Sequence, residues 1–231
     1  MTDLLFRDDA YARSCEAEVR AANGDGIELD RTVFYPAGGG QPGDQGIIEA
    51  GDARLNVLDT VKAGDSGVLH RLAGEPPPVG TIVRAEIDWA RRHRLMRMHS
   101  ALHLLCAAVA QPVTGGQIGD GKGRLDFDVQ DGALDKERIL ERLLTWVEAD
   151  RVISARWIDA DDLARRPELV RTMSVRPPTT GGRVRLIEID GIDLQACGGT
   201  HVRSTGEIGA LVVGKIENKG RQNRRVNLAF A

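Results

Sequence analysis

Over roughly the first 90 residues, short apolar runs alternate with turn signals. Ile27-Glu28-Leu29, Gly46-Ile47-Ile48 and Leu55-Asn56-Val57-Leu58 are the apolar runs. Alternating with them are Asn23-Gly24-Asp25-Gly26, Ala50-Gly51-Asp52 and Lys62-Ala63-Gly64-Asp65-Ser66-Gly67. Many short strands at this spacing predict a small β-barrel. Pro76-Pro77-Pro78 interrupts the pattern, and Gly80 to Ile87 returns as a last strand.

From Arg91 the period changes. Leu95, His99, Leu102, Cys106 and Val109 recur at four, three, four and three residues, one face of an amphipathic helix. It should end near Gln111-Pro112, because proline disfavours helix in the residue before it. A second helix is expected from Asp135 to Asp150, burying Ile139, Leu140, Leu143, Leu144 and Val147. Strand-like runs follow at Val152 to Ile158, Val184 to Ile189, Ala210 to Ile216 and Val226 to Phe230. The fold class read from this order is α+β. A barrel of residues 1–90 precedes an α+β domain of residues 91–231 whose helices pack on an antiparallel sheet, with the boundary near Trp89-Ala90.

Composition narrows the function classes. The chain has 231 residues, enough for one large or two small domains. Thirty-one basic against 34 acidic residues leave a net charge of −3, with 42% hydrophobic and 28% charged residues. These values exclude a disordered chain, a fibre and a uniformly basic DNA-coating protein. No apolar run approaches the ~20 residues that span a bilayer, and the start, Met1-Thr2-Asp3-Leu4-Leu5-Phe6-Arg7-Asp8-Asp9, has no secretory signal pattern. A cytoplasmic protein with no membrane or DNA partner is expected. Cys15, Cys106 and Cys197 are too few and scattered for a disulfide framework. Each is a small buried hydrophobe, a ligand or a nucleophile. Aromatics at 4% argue against gripping single strands mainly by base stacking.

Two short motifs carry candidate metal chemistry. His99-Ser100-Ala101-Leu102-His103 sets two imidazoles one helical turn apart on one face. The alternative is a pair of satisfied core histidines. Downstream, Asp193-Leu194-Gln195-Ala196-Cys197-Gly198-Gly199-Thr200-His201 brings a cysteine and a histidine around a glycine turn. The alternative there is a turn with an exposed histidine and a buried cysteine. Three of the five histidines fall in these two motifs. His99, His103, Cys197 and His201 would make an N₃S sphere suited to one Zn²⁺. Cys106, on the same helix, is the rival sulfur ligand. Asp193 is a candidate partner for the free N–H of a ligating imidazole, with a solvated turn residue as the alternative.

His99-x-x-x-His103 with Cys197-Gly198-Gly199-Thr200-His201 resembles the editing domain shared by alanyl-tRNA synthetases and free-standing AlaX-type alanyl-tRNA editing proteins. The resemblance runs along almost the whole chain. It includes the glycine-rich stretch Asp30 to Gly46, Ile87-Asp88-Trp89 with Arg92, the Arg124 to Asp128 strand, Thr205 to Gly209, and Lys215-Ile216-Glu217 with Gly220 and Arg224-Arg225. Ala37 stands where family members commonly carry a polar residue, and Ser100 and Leu102 where threonines are common.

The resemblance implies the medium-length free-standing type: a glycine-rich barrel, an α+β editing domain, and no ATP-binding synthetase core. It implies hydrolysis of mischarged tRNA(Ala) carrying serine, and glycine as well. Zinc in such a site polarises an ester carbonyl and lowers the pKa of bound water to about 7, given an open coordination position. Gln117 and Asp193 are the candidate water-orienting groups. Thr32 is implied to meet the seryl hydroxyl across the domain interface, beside Gly38, Gly39, Gly40 and Gln41. A site that must hydrogen-bond a hydroxyl rejects the analogue lacking it. Read without the resemblance, Thr32 is a β-former at a strand start and the glycines are a plain turn.

Two basic stretches lie on this slightly acidic chain. One is Arg91, Arg92, Arg94 and Arg97; the other is Lys215, Lys219, Arg221, Arg224 and Arg225 against Glu217 alone. Lys215, Arg224 and Arg225 are the expected contacts to the tRNA acceptor end, with solvated surface charge as the alternative. Two other function classes remain open at this point: a zinc-stabilised tRNA-binding module without catalysis, and a metallohydrolase for another ester or amide.

Overall fold

A computed structural model describes residues 2–64, 66–130, 133–173 and 177–231, so Asp65 of the expected Lys62–Gly67 turn lies outside the described residues. The chain forms two compact units, one ending at Arg94 and one running from Leu95 to Ala231.

The first unit opens with β1 (Asp3–Leu4), β2 (Ser14–Asn23), β3 (Gly26–Leu29), β4 (Arg31–Thr32) and β5 (Gly46–Ala50). It continues with β6 (Ala53–Ala63), β7 (Gly67–Ala73) and β8 (Ile82–Ile87). Six of these close a barrel in the order β2-β3-β7-β6-β5-β8, while β1 pairs β4 in parallel outside it. The period-two pattern is plainest in β8: Val83, Ala85 and Ile87 are buried while Ile82 is 63% exposed. With Val19, Ile27, Leu29, Phe34, Ile48 and Val57 they form one apolar core.

The glycine-rich stretch is a tight turn on this barrel. Gly38 and Gln41 exchange both backbone hydrogen bonds at 3.0 Å. Gly39 and Gly40 between them have φ of 58° and 83°, a combination open to glycine at no steric cost.

Helix α1 (Trp89–Val109) follows. Arg92 in its first turn is fully buried and clamps the glycine-rich segment. It donates to both carboxylate oxygens of Asp44, to the Val33 carbonyl at 2.6 Å and to the Ala10 carbonyl at 3.0 Å. Asp44 also accepts from the Tyr35 N–H at 2.6 Å. A buried arginine with its donors so fully used is an organising ion pair rather than an RNA contact.

The second unit has the remaining elements. They are β9 (Val113–Ile118), β10 (Lys122–Asp128), α2 (Lys136–Glu148), β11 (Ile153–Asp159) and α3 (Ala160–Ala164). Then come β12 (Thr179–Thr180), β13 (Arg183–Ile189), β14 (Asp193–Ala196), β15 (Leu211–Asn218) and β16 (Asn223–Phe230). They make two four-stranded antiparallel sheets where one was expected. One runs β15-β16-β10-β9; in the other β13 pairs β11 along its length and β12 and β14 at its two ends. The class is α+β.

Helix α1 is not simply amphipathic. From Leu95 to Cys106 it is buried on every side except at Arg97, which is partly exposed. It packs closely on β10: a Cβ at Gly123 would stand 3.0 Å from the Met98 sulfur and 3.1 Å from Leu102. Helix α2 is capped by Asp135, whose side chain accepts from the Arg138 N–H at 3.0 Å. It buries Ile139 and Leu143, but Leu144 lies at the edge of its stripe, 36% exposed.

Candidate metal centre

Helix α1 presents His99 and His103 one turn apart, and the turn after β14 presents Cys197 and His201. Their ligand atoms all lie within 4.8 Å of one another. Cys197 Sγ is 3.5 Å from His99 Nε2 and 3.4 Å from His201 Nε2. His201 is 5% exposed, so the reading of an exposed turn histidine does not hold. Cys106 is outside the group. Burial and the Asp193 carboxylate push its thiol up to about 12, which suits packing rather than ligation.

The other ring nitrogen of each histidine faces an outer partner. His201 Nδ1 is 3.1 Å from Ser100 Oγ. His99 is hydrogen-bonded to the Thr200 backbone. His103 Nδ1 faces Asp193 at 3.7 Å. Metal-bound imidazoles hold their rings this way, with the outer N–H fixing tautomer and orientation. His103 Nδ1 is buried without a hydrogen bond, and the Asp193 oxygen facing it, Oδ2, is held by Gln195, so this outer contact is the loosest of the three. A metal-ligating His103 would carry its proton on that nitrogen, so the residues fit an ion.

The electrostatics agree. Burial drives His99 and His201 well below the usual imidazole value, with neighbouring imidazoles and Arg185 adding to it. Burial and then Arg185 lower His103 to about 3. All three are therefore neutral, the ligating form. Burial raises the Cys197 thiol, opposed by the Gly199 N–H at 3.4 Å from its sulfur and by Arg185. Arg185 is buried and holds the turn by donating to the carbonyls of Gly199 (2.8 Å) and Cys197 (3.3 Å). Neutral imidazoles, one sulfur and a nearby cation form a site that a divalent ion and an anionic or carbonyl ligand would complete.

Asp193 is a buried strand residue at the start of β14, not a solvated turn residue. Its Oδ2 accepts from Gln195 Nε2 at 2.6 Å and its Oδ1 is 3.6 Å from Arg171. Burial is the leading influence on its carboxyl and raises it. It stands behind His103, on the side away from the four ligand atoms. Gln117 is exposed on β9, its oxygen 3.4 Å from Arg124 Nε, and no hydrogen bond ties it to the four ligands.

Thr32 is fully buried in the barrel unit, its hydroxyl 2.8 Å from His70 Nε2 and 3.0 Å from the Phe34 N–H. Gly39 and Gly40 are exposed at the turn tip, while Gln41 is buried. Lys215 is exposed on β15. Arg224 binds backbone carbonyls of its own hairpin at 3.2–3.3 Å. Arg225 is committed to Asp126 through two bonds of 2.7 and 2.9 Å, and Arg124 joins the same carboxylate at 2.7 Å. Sequence reading missed Ser100, Thr200 and Arg185 as supports of the site. A buried arginine within the apolar run Val184 to Ile189 was the one signal available.

Comparison with known proteins is consistent with this geometry. Residues 184–227, which include Cys197 and His201, match the family described as the threonyl and alanyl tRNA synthetase second additional domain. Residues 8–91 match class II (A) tRNA synthetases. The alanyl-tRNA editing protein AlaX-M of Methanosarcina barkeri is 34% identical over 98% of this chain and 98% of its own length. That of Saccharolobus solfataricus is also 34% identical, over 98% of each. The alanine–tRNA ligase of Methanothermobacter thermautotrophicus is 37% identical over 94% of this chain, which spans 25% of the ligase.

Proposed function

Since the chain belongs to the alanyl-tRNA editing proteins of the AlaX-M type, we propose that it is a zinc-dependent hydrolase acting on tRNA(Ala) mischarged with serine or glycine. The bond cleaved is the ester between the aminoacyl group and the terminal ribose. The observation that carries the reading is the convergence of three buried imidazoles and one sulfur within 4.8 Å, each imidazole backed by an outer partner.

In this reading His99, His103, Cys197 and His201 hold one zinc ion, which when bound polarises an ester carbonyl and lowers the pKa of water. Ser100, the Thr200 backbone and Asp193 hold the rings so that Nε2 faces inward. The place of Asp193 behind His103 supports a positioning role rather than contact with the attacking water. Gln117 is the remaining candidate for orienting that water. Thr32 reads the seryl hydroxyl, and the turn at Gly38, Gly39, Gly40 and Gln41 leaves room for the single-stranded acceptor end. Lys215 is the proposed contact to a phosphate, with Arg224 and Arg225, held by their own hairpin and by Asp126, shaping the surface beside it, giving salt-sensitive, shape-based binding. The reaction belongs in the cytoplasm, where tRNA is charged.

One observation favours a second reading. Four protein donors make a complete tetrahedral set, as structural zinc sites have. The protein would then be a zinc-stabilised tRNA-binding module. Metal content and time-courses on Ser-, Gly- and Ala-tRNA(Ala) separate the two. Zinc-loaded protein that hydrolyses none of the three would defeat the hydrolase. Loss of Ser-tRNA(Ala) hydrolysis in Cys197→Ala, with fold and tRNA binding kept, would exclude the binding module.

A further inference from the structure

The Asp193 carboxylate behind His103 meets a different group at each oxygen. Gln195 Nε2 donates at 2.6 Å to Oδ2, the oxygen that faces His103 Nδ1. Oδ1 is buried and accepts no hydrogen bond among the described residues. The charge that faces it is Arg171, whose guanidinium stands 3.6 Å away.

The backbone around Arg171 is fixed to the edge of the neighbouring sheet. Its carbonyl accepts from the Val113 N–H at 3.1 Å, and the Val113 carbonyl accepts from the Met173 N–H at 2.9 Å. Thr172, between the two, forms a parallel bridge with Val113, the buried first residue of β9. From this base the Arg171 side chain reaches across to β14. It keeps 42% of its surface in solvent, whereas the Asp193 side chain has none. Arg171 lines a groove of about 370 Å³ together with Arg166, Glu168, Glu188 and Gly191.

A carboxylate turns readily about its last bond, where the torsional preference is broad. Gln195 anchors one oxygen and leaves the carboxylate plane free to swing. An anchor at Oδ1 fixes that plane. A buried carboxylate also needs an opposite charge beside it, and a ligating His103 is neutral. Arg171 meets both needs.

With the four donors read as a zinc site, we infer that Arg171 is a positioning residue that acts on the metal through Asp193 and His103. Its guanidinium holds Oδ1, which keeps Oδ2 turned to His103 Nδ1 and the ring in its ligating orientation. The centre thereby has a handle on the protein surface, a solvent-facing charge separated from the ion by two side chains.

Zinc affinity, measured by competition with a chromophoric chelator, tests this. Arg171→Ala should bind zinc about fivefold more weakly, the upper scale for a partly exposed ion pair. Arg171→Gln, which keeps the bulk and drops the charge, should lose about as much, and it decides the matter if the alanine variant does not fold. Arg166→Ala removes a cation from the same groove, one paired with Glu168 at 3.3 Å, and should leave the affinity unchanged. In an Asp193→Asn background the Arg171 substitution should cost less than about twofold, because the group it acts through has lost its charge. Native affinity in the Arg171 variants would overturn the inference while leaving the zinc site in place. A loss of equal size in Arg166→Ala, or one undiminished in the Asp193→Asn background, would overturn it too, since Arg171 would then act by general charge or by another route. Protein that binds no zinc at all would sink the reading of the four donors, and the role of Arg171 with it.

Discussion

His103 Nδ1 and the Asp193 carboxylate face each other at 3.7 Å, both buried, at a distance just beyond a hydrogen bond. His201 and His99 already have their outer partners, so this contact is the part of the centre that ligation would complete. Replacing Asp193 by Asn or Ala should weaken zinc binding about 10–100-fold. Competition with a chromophoric chelator measures it. An affinity equal to that of the native protein would mean that Asp193 does not orient His103.

Cys106 and Cys197 should separate cleanly. Cys106→Ala is expected to keep the zinc content and lose about 1–2 kcal/mol of stability through packing alone. Cys197→Ala should lose zinc. Equal metal loss from both variants, by elemental analysis of dialysed protein, would put Cys106 back among the ligands.

Among the described residues, Asp44 is the carboxylate that meets the fully buried Arg92. Asp44→Ala should cost about 3–5 kcal/mol, because it leaves a buried guanidinium uncompensated. Urea unfolding followed at the barrel's tryptophan, Trp89, reads this out. A cost below about 1 kcal/mol would show that the Ala10 and Val33 carbonyls suffice for the charge.

His70 gives the barrel a pH dependence with a defined sign. Burial lowers its pKa from the ordinary 6.5 to about 4. Below pH 6.5 the unfolded chain binds a proton that the folded barrel refuses until about pH 4. The contribution is complete above 6.5 and is lost as the pH falls to about 4, with a ceiling of about 3 kcal/mol. Between pH 7 and pH 5, native protein should lose about 2 kcal/mol more than His70→Gln. Equal losses in paired denaturation curves would count against a neutral, buried His70.

Lys215 and Arg225 should differ as RNA contacts. Lys215 is exposed, so Lys215→Ala should lower the salt slope of tRNA binding by about one. Arg225 is held by Asp126, so Arg225→Ala should act mainly on the stability of the hairpin it closes. A larger salt-slope change from Arg225 than from Lys215 would reverse the assignment.

The four candidate ligands were legible because histidine and cysteine are rare here and their spacing is short within each motif. Their supports were not. Ser100 and Thr200 are ordinary residues whose roles exist only once α1 meets the turn after β14. Strand β9 was hidden by Gly115-Gly116, which weaken any strand pattern, and its pairing with β10 overrides that local preference. Helix α1 was read as one-sided although Met96, Met98, Leu104 and Leu105, off the chosen stripe, are apolar and fully buried, as are the small residues Ser100 and Ala101. The barrel was legible as a class from its turns, but β2 was not, since Ser14 to Asn23 carries four charged or amide side chains among its ten residues. Leu144 shows the opposite error, an apolar residue at the rim of a stripe that the packing leaves outside.

The two halves of the candidate metal centre come from distant stretches, one on α1 and one after β14. Neither half has enough donors to hold an ion in the coordination seen in folded zinc sites. Cobalt in place of zinc would therefore remain nearly colourless in the unfolded chain. It would take on an intense tetrahedral thiolate spectrum only when helix and turn have met. A cobalt-binding second unit would thus gain a chromophore, absent until its longest-range contacts form, with which its folding could be timed.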